Sequence, residues 1–302
     1  MAPRRPPALR RVPRRRGTLR WQARDLLLLA VGLLAALAWD VSGADLAFSA
    51  WAGGARGFPL REHWLLARVL HDGGRVAAGT ALALLAMTAA WRPARGPTRR
   101  EHLGWLAVAL LALLLVPLLK RASQTSCPWD LLPFGGAWPY VGHWQVGVAD
   151  GGPGHCFPSG HAVTGWAFLA TGFLWRPWRP RLAGALFAAV AVAGSAFALA
   201  QVLRGAHFVS HTLWSAWLCL AVAVTAEPWL RPRDGGLPPC RDEADDRPEG
   251  RPPNPGCIAG AMGADAADAR PARGWRRIDR AQRHPIPEPA SCDGSLQCRS
   301  ER

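Results

Sequence analysis

Residues 102–119 read HLGWLAVALLALLLVPLL. No charged residue interrupts the run between His102 and Lys120, while Arg99, Arg100 and Arg121 flank it. An α-helix rises about 1.5 Å per residue, and about 20 apolar residues match a hydrocarbon core of about 30 Å. An apolar stretch of this length with basic ends reads as a membrane-spanning helix. Five other blocks read the same way: 22–42 around LLLLAVGLLAALAW, 74–91 (GRVAAGTALALLAMTAAW), 160–176 (GHAVTGWAFLATGFLWR), 182–203 (LAGALFAAVAVAGSAFALAQVL) and 207–226 (HFVSHTLWSAWLCLAVAVTA). The fold class is therefore all-α, a polytopic membrane protein with six transmembrane helices. The first block resembles a signal peptide in its basic lead, but its apolar character continues past Asp40, so it is read as an anchor.

The composition supports this class. Half of the 302 residues are hydrophobic, and 36 basic residues face 21 acidic ones, a net charge of +15. The arginines sit between the apolar blocks rather than within them, so the charge implies a membrane surface and no nucleic acid. Nine arginines fall in residues 1–24, four in 92–101, three in 176–181, and Arg231 and Arg233 follow the sixth block. With six spans these regions share one side, which the positive-inside rule makes cytoplasmic. Segments 43–73, 120–159 and 203–207 then lie on the other side, periplasmic in a bacterial inner membrane. Residues 59–70 (PLREHWLLARVL) read as an interfacial helix, with Trp64, Leu65, Leu66, Val69 and Leu70 toward lipid. Three regions result: a basic arm over 1–21, a membrane domain over 22–227, and a tail over 228–302. The tail is rich in Pro, Arg, Asp and Gly without hydrophobic period, which predicts disorder. Ile and Asn occur only in that tail.

The polar residues of the domain gather on the outer side. Lys120 ends the third block. Ser159, Gly160 and His161 open the fourth, Arg204 ends the fifth, and His207 and His211 open the sixth. Ionisable groups at membrane depth are costly and mark functional sites. Lys120 is the only lysine in the chain, and a compact ammonium suits an anion as a point-charge partner. In PSGH, 158–161, Pro158 and Gly160 turn the chain and Ser159 caps the helix that follows. The free amides of a first helical turn attract an anion, and His161 stands ready to protonate it. His207 and His211 share a helix face, as a nucleophile with its orienting partner or as a zinc pair. No acidic or cysteine partner lies near them in sequence, so no metal and no cofactor are expected. HDGGR, 71–75, lies near the outer end of the second span, where it caps a helix or lines a lipid entrance. The loop PWDLLPFGGAWPYVGHWQVG, 128–147, suits a lid at headgroup level.

Together these pieces resemble the type-two phosphatidic acid phosphatase superfamily, which includes vanadium haloperoxidases and bacterial acid phosphatases. Its motifs are K-x6-R-P, P-S-G-H and S-R-x5-H-x3-D. Here they read KRASQTSCP (120–128), PSGH (158–161) and AQVLRGAHFVSH (200–211). The resemblance covers about 22–227 and implies a site at the outer ends of spans three to six. It implies that His207 attacks phosphorus to form a phosphohistidine, that His161 protonates the leaving oxygen, and that Lys120, Ser159 and Gly160 hold the phosphoryl oxygens. A lipid phosphate or diphosphate is the implied substrate.

Three positions depart from the pattern: Cys127 and Gln201 stand where arginines are usual, and His211 where an aspartate is usual. Arg204, nearly one helical turn beyond Gln201, is the expected substitute cation, with Arg121 a second candidate. His211 is expected to orient His207 through a neutral nitrogen, so activity falls as it protonates. Cys127 and Cys156 flank the site in one outer loop, and an oxidising compartment would join them in a disulfide. Two rival readings stay open, a phosphotransferase and a silenced or metal-binding membrane protein. The sequence does not set the oligomeric state.

Overall fold

The computed structural model describes residues 15–90, 96–145 and 147–230, with side chains from Arg20 onward. The expectations placed on residues 1–14 and on the tail beyond 230 lie outside the described residues. The described residues all fall within one compact unit, Met1–Gly236.

Eight α-helices form the described fold: α1 (Arg15–Ser42), α2 (Ala44–Ala52), α3 (Gly73–Ala90), α4 (Arg99–Ala122), α5 (Val163–Trp166), α6 (Leu169–Trp175), α7 (Pro180–Leu203) and α8 (Val209–Leu230). Among the described residues there is no strand. Five helices are long and apolar enough to cross a membrane: Arg20–Ser42, Leu65–Ala90, Arg99–Ala122, Pro180–Leu203 and Val209–Leu230.

The fourth expected span is different. Its apolar stretch, Val163–Trp175, is shorter than the other five and is divided into α5 and α6. Two threonines mark the irregularity, since Thr164 Oγ1 donates to His161 O and Thr171 Oγ1 to Phe168 O, both at 2.7 Å. Such back-bonding competes with the helical ladder. Buried glycines then draw the broken segment onto α7. A Cβ on Gly165 would stand 2.5 Å from the Cα of Gly194, and one on Gly194 would stand 2.6 Å from the Trp166 ring. Small residues allow this backbone approach where no water drives association.

The second span also departs from expectation. Residues 59–70 do not make a separate interfacial helix. A π-helical stretch, Leu65–Asp72, runs directly into α3, and Leu66 is buried while Trp64, Leu65 and Val69 are exposed. The α4 start is fixed locally: Glu101 N donates to Thr98 Oγ1 and Thr98 N to Glu101 Oε2, a reciprocal capping box.

α8 is the central helix, packing against α1, α4, α5 and α6, while α7 packs on α5 and α6. Trp105, Val108 and Ala109 of α4, Phe173 and Leu174 of α6, and Ala223 and Val224 of α8 form the main core. A smaller cluster of Ala112, Val116, Val163, Ala167 and Cys219 sits nearer the site. Leucines on the outer faces, such as Leu27, Leu34, Leu111 and Leu114, remain exposed, as lipid-facing residues would. At one end of the bundle Arg176 bridges Asp25 of α1, at 2.7 Å, and Glu227 of α8. Glu227 lies 16 residues along α8 from His211, about 24 Å at the helical rise, so this ion triad and the histidines occupy opposite ends.

Candidate active site

Motif residues from three separate parts of the chain meet at the end remote from Arg176. The loop after α4 is held first. Asp150 accepts from Ser126 N (2.6 Å), Ser126 Oγ (2.9 Å) and Gly152 N (2.9 Å). His155 N donates to Ser123 O and Cys156 N to Thr125 O. This pairing lays 123–126 beside 154–156, and a disulfide joins Cys127 to Cys156 with their Cα atoms 5.2 Å apart.

The next residues, 157–161, are tied to α8. Ser159 N donates to His211 O (3.0 Å), and Ser215 Oγ donates to Ser159 O (2.9 Å). Ser159 is fully buried, and its Oγ accepts from Ala162 N at 3.3 Å. The expected capping contact is thus present, but α5 is only four residues long. A helix dipole therefore offers an anion little here, and charge must come from side chains. Lys120, at the end of α4, supplies it: a Cβ placed on Gly160 would lie 3.5 Å from Lys120 Cδ and 3.9 Å from Nζ.

His161 lies under the π-helical stretch. Its ring stacks on His71 with centroids 4.1 Å apart and planes 12° apart, and its buried Nε2 has no hydrogen-bond partner among the described residues. Burial, then the charge of His71, lower its pKa to about 4. His71 itself bonds Asp72 through Nδ1 at 2.9 Å. The HDGGR segment thus enters the site through a ring-on-ring contact, a role its sequence alone did not specify.

His207 sits in the short α7–α8 connection, 3 % exposed. Burial, followed by the Lys120 ammonium, holds its pKa well below the usual imidazole range. It is therefore neutral at pH 7. Its Nδ1 lies 3.5 Å from the sulfur of Cys156, which leaves Nε2 as the free edge.

His211, in the first turn of α8, is completely buried. It lies edge-on to His207 at 5.8 Å between centroids. The expected orienting hydrogen bond is not formed, because both His211 ring nitrogens lack a partner among the described residues. His143, Phe157 and Phe208 surround the same ring with centroids 5.6, 5.3 and 5.3 Å away. Arg204 is buried as well: its Nε donates to Arg61 O at 2.8 Å, and its Nη1 is 3.5 Å from Gln201 Oε1.

Two carboxylates that support the site carry no motif signal. Asp45 of α2 accepts from Ser210 N (3.0 Å), Ser210 Oγ and Trp39 Nε1 (2.8 Å), fixing the start of α8. Asp40 of α1 accepts from Trp144 Nε1 (2.7 Å) and Trp214 Nε1 (2.8 Å), with His143 Nε2 3.4 Å away. Asp40 thus anchors the 128–147 loop over α8. Beneath that loop is a cleft of about 520 Å³, walled by Leu119, Trp144, Val148, Phe157, Trp214 and Leu218. None of Lys120, His161, His207 and His211 lines it, so it adjoins the histidine cluster rather than containing it.

Cys156, His207 and His211 are also the one group among the described residues whose donor atoms approach as metal ligands would, all within 4.8 Å. With Cys156 in the disulfide, no thiolate is present to bind.

Residues 101–233 match the family model described as the PAP2 superfamily. No curated protein and no solved structure matches the chain.

Proposed function

Residues 101–233 belong to the PAP2 superfamily, which supports phosphatase-type activity on phosphate esters, and from that membership we propose a membrane enzyme that hydrolyses lipid phosphates or diphosphates through a phosphohistidine. One observation carries the reading. A neutral, buried His207, a cation at Lys120 and a second neutral histidine at His161 converge at one end of an apolar helix bundle.

The proposed chemistry follows from these groups. Nε2 of His207 is the attacking atom, since Nδ1 faces sulfur. Its lone pair forms the N–P bond as the P–O bond to the lipid alcohol breaks. His161 protonates the departing oxygen, having been protonated on substrate binding because a phosphate dianion favours the imidazolium. Lys120 neutralises charge on the phosphoryl oxygens. The Gly160 and His161 amides, which make no hydrogen bond within the described residues, add donors. Arg204 supplies a second cation through the side of its guanidinium away from the Arg61 and Gln201 contacts. Water then attacks phosphorus, gives up its proton to His161, and the N–P bond breaks. Preorganised charge of this kind supplies the largest share of rate in phosphoryl transfer.

The substrate's phosphate would meet the site at the membrane surface with its chain in lipid, on the periplasmic side of a bacterial inner membrane. No cofactor enters the reaction. The test is phosphate release by detergent-purified protein from a panel of lipid phosphates and diphosphates with EDTA present. Release by the wild type and none by His207→Ala is the expected result. Equal release by both proteins would remove His207 as nucleophile. Release only when an acceptor alcohol is added would identify a transferase instead.

A further inference from the structure

The nucleophile's pocket holds a second set of donors. Cys156 Sγ and ring nitrogens of His207 and His211 lie within 4.8 Å of one another, and all three residues are 3 % exposed or less. Buried polar atoms in native proteins are nearly always partnered, yet neither ring nitrogen of His211 makes a well-formed hydrogen bond among the described residues. Imidazole nitrogen and thiolate sulfur are the preferred donors for zinc. What the closed disulfide lacks is charge. The Lys120 ammonium repels a dication and two neutral imidazoles bring no charge to oppose it, whereas a thiolate would offset that repulsion. Zinc bonds of about 2.0–2.3 Å place tetrahedral donors about 3.5 Å apart, so closing on the ion needs side-chain shifts of about 1 Å.

We propose that reduction of the Cys127–Cys156 disulfide converts this pocket into a three-ligand site, Cys156–His207–His211, for a zinc-class divalent cation. A dithiol reductant delivers two electrons: the S–S bond breaks, two cysteine thiols form, and the reductant leaves as its own disulfide. The Cys156 thiol releases its proton as the cation binds. The oxidised chain leaves His207 its lone pair on Nε2, whereas in the reduced chain Nδ1, which faces the sulfur, binds the ion and the ring proton moves to Nε2, so no lone pair remains there for attack. On the phosphatase reading above, on which only this consequence rests, hydrolysis stops when the reduced protein binds the ion.

Cobalt(II), a spectroscopic stand-in for zinc, tests the site without any activity assay. Full-length protein is titrated in detergent, either oxidised or reduced by a dithiol and desalted without air. Cys156→Ser and His211→Gln are treated in parallel, both retaining the tail cysteines. The reduced wild type should show a thiolate-to-cobalt charge-transfer band saturating one equivalent above reduced Cys156→Ser. Oxidised wild type should show no band above that of reduced Cys156→Ser. Reduced His211→Gln, prepared from its folded disulfide form, should bind at least about tenfold more weakly, as expected when one ligand of three is removed. An equal band in reduced Cys156→Ser, an equal band in the oxidised protein, or no band in the reduced wild type would each overturn the site. Failure of every form to release phosphate would bear on the phosphatase reading and leave the cobalt result standing.

Discussion

His161 illustrates how a residue's task depends on what encloses it. Its motif position assigns it the leaving-group proton, but burial and then the charge of His71, on which it stacks, bring its pKa to about 4. The free enzyme therefore holds it neutral over most of the working range, and the protonated form is lost as pH rises through about 4. A bound phosphate dianion opposes this shift and raises the pKa in the complex. The profile of kcat/KM reports the free enzyme and that of kcat the complex. The alkaline limb of kcat should accordingly lie at higher pH than that of kcat/KM. His161→Gln should lose the displaced limb and about 10²–10⁴-fold in rate on an alkyl phosphate. Its defect should shrink sharply with a nitrophenyl leaving group, which departs without a proton. Coincident limbs in the wild type, or an equal defect on both substrates, would separate His161 from proton transfer. Asp150 makes a second residue-scale case. Its carboxylate holds two backbone amides and a hydroxyl, so Asp150→Ala leaves buried donors without an acceptor. A loss of about 2–4 kcal/mol in unfolding stability is expected, readable as a lowered melting temperature in detergent.

At the scale of elements, the sequence was most informative where apolar runs were long and uninterrupted. α1, α4, α7 and α8 stand close to the blocks read from charge-free stretches and flanking arginines. Segment 160–176 was less legible because length and apolarity cannot distinguish a spanning helix from one broken by threonine back-bonding. Its geometry is set by partners remote in sequence, chiefly the glycine contacts with α7. The same limit hid Asp40 and Asp45, whose partners in the 128–147 loop and α8 lie more than 100 residues away. The motif histidines and Lys120 were readable because their spacing within motifs and their places at helix ends are local properties. Arg204 was assigned to phosphate on helical spacing alone, and spacing could not reveal the Arg61 carbonyl that takes its Nε. The α5–α7 contact gives an element-scale prediction. Gly194→Ala drives a methyl group into the Trp166 ring and should cost about 1–3 kcal/mol by overpacking. Gly184→Ala, on the same helix with nothing within 4 Å of the added carbon, should be neutral or stabilising by up to about 1 kcal/mol. Equal melting temperatures for the two variants would contradict close α5–α7 packing.

At the scale of the whole molecule, the two ends of the bundle differ in chemistry. One end gathers Lys120 and the histidines beneath tryptophan-rich loops. The other carries Arg176, Arg179 and Arg181, with the Arg176 triad tying α1 to α8. A bilayer resolves such an asymmetry in one direction, because basic loops are retained in the cytoplasm. The disulfide agrees with that direction, since it would persist in an oxidising compartment. The site end should therefore face outward. Labelling intact cells with a membrane-impermeant maleimide tests this in protein whose four tail cysteines are serine. Ala55→Cys, on an exposed loop at the site end, should be labelled without permeabilisation. Arg181→Cys, exposed at the start of α7, should be labelled only after it. The reverse pattern would place the histidines in the cytoplasm. Labelling of both positions in intact cells would mean that the chain does not hold its two ends on opposite sides of a membrane. The expected pattern would leave an enzyme able to reach lipid phosphates only after their headgroups are exposed on the outer leaflet. That compartment would also keep Cys156 oxidised and, on the proposed mechanism, leave His207 free to attack.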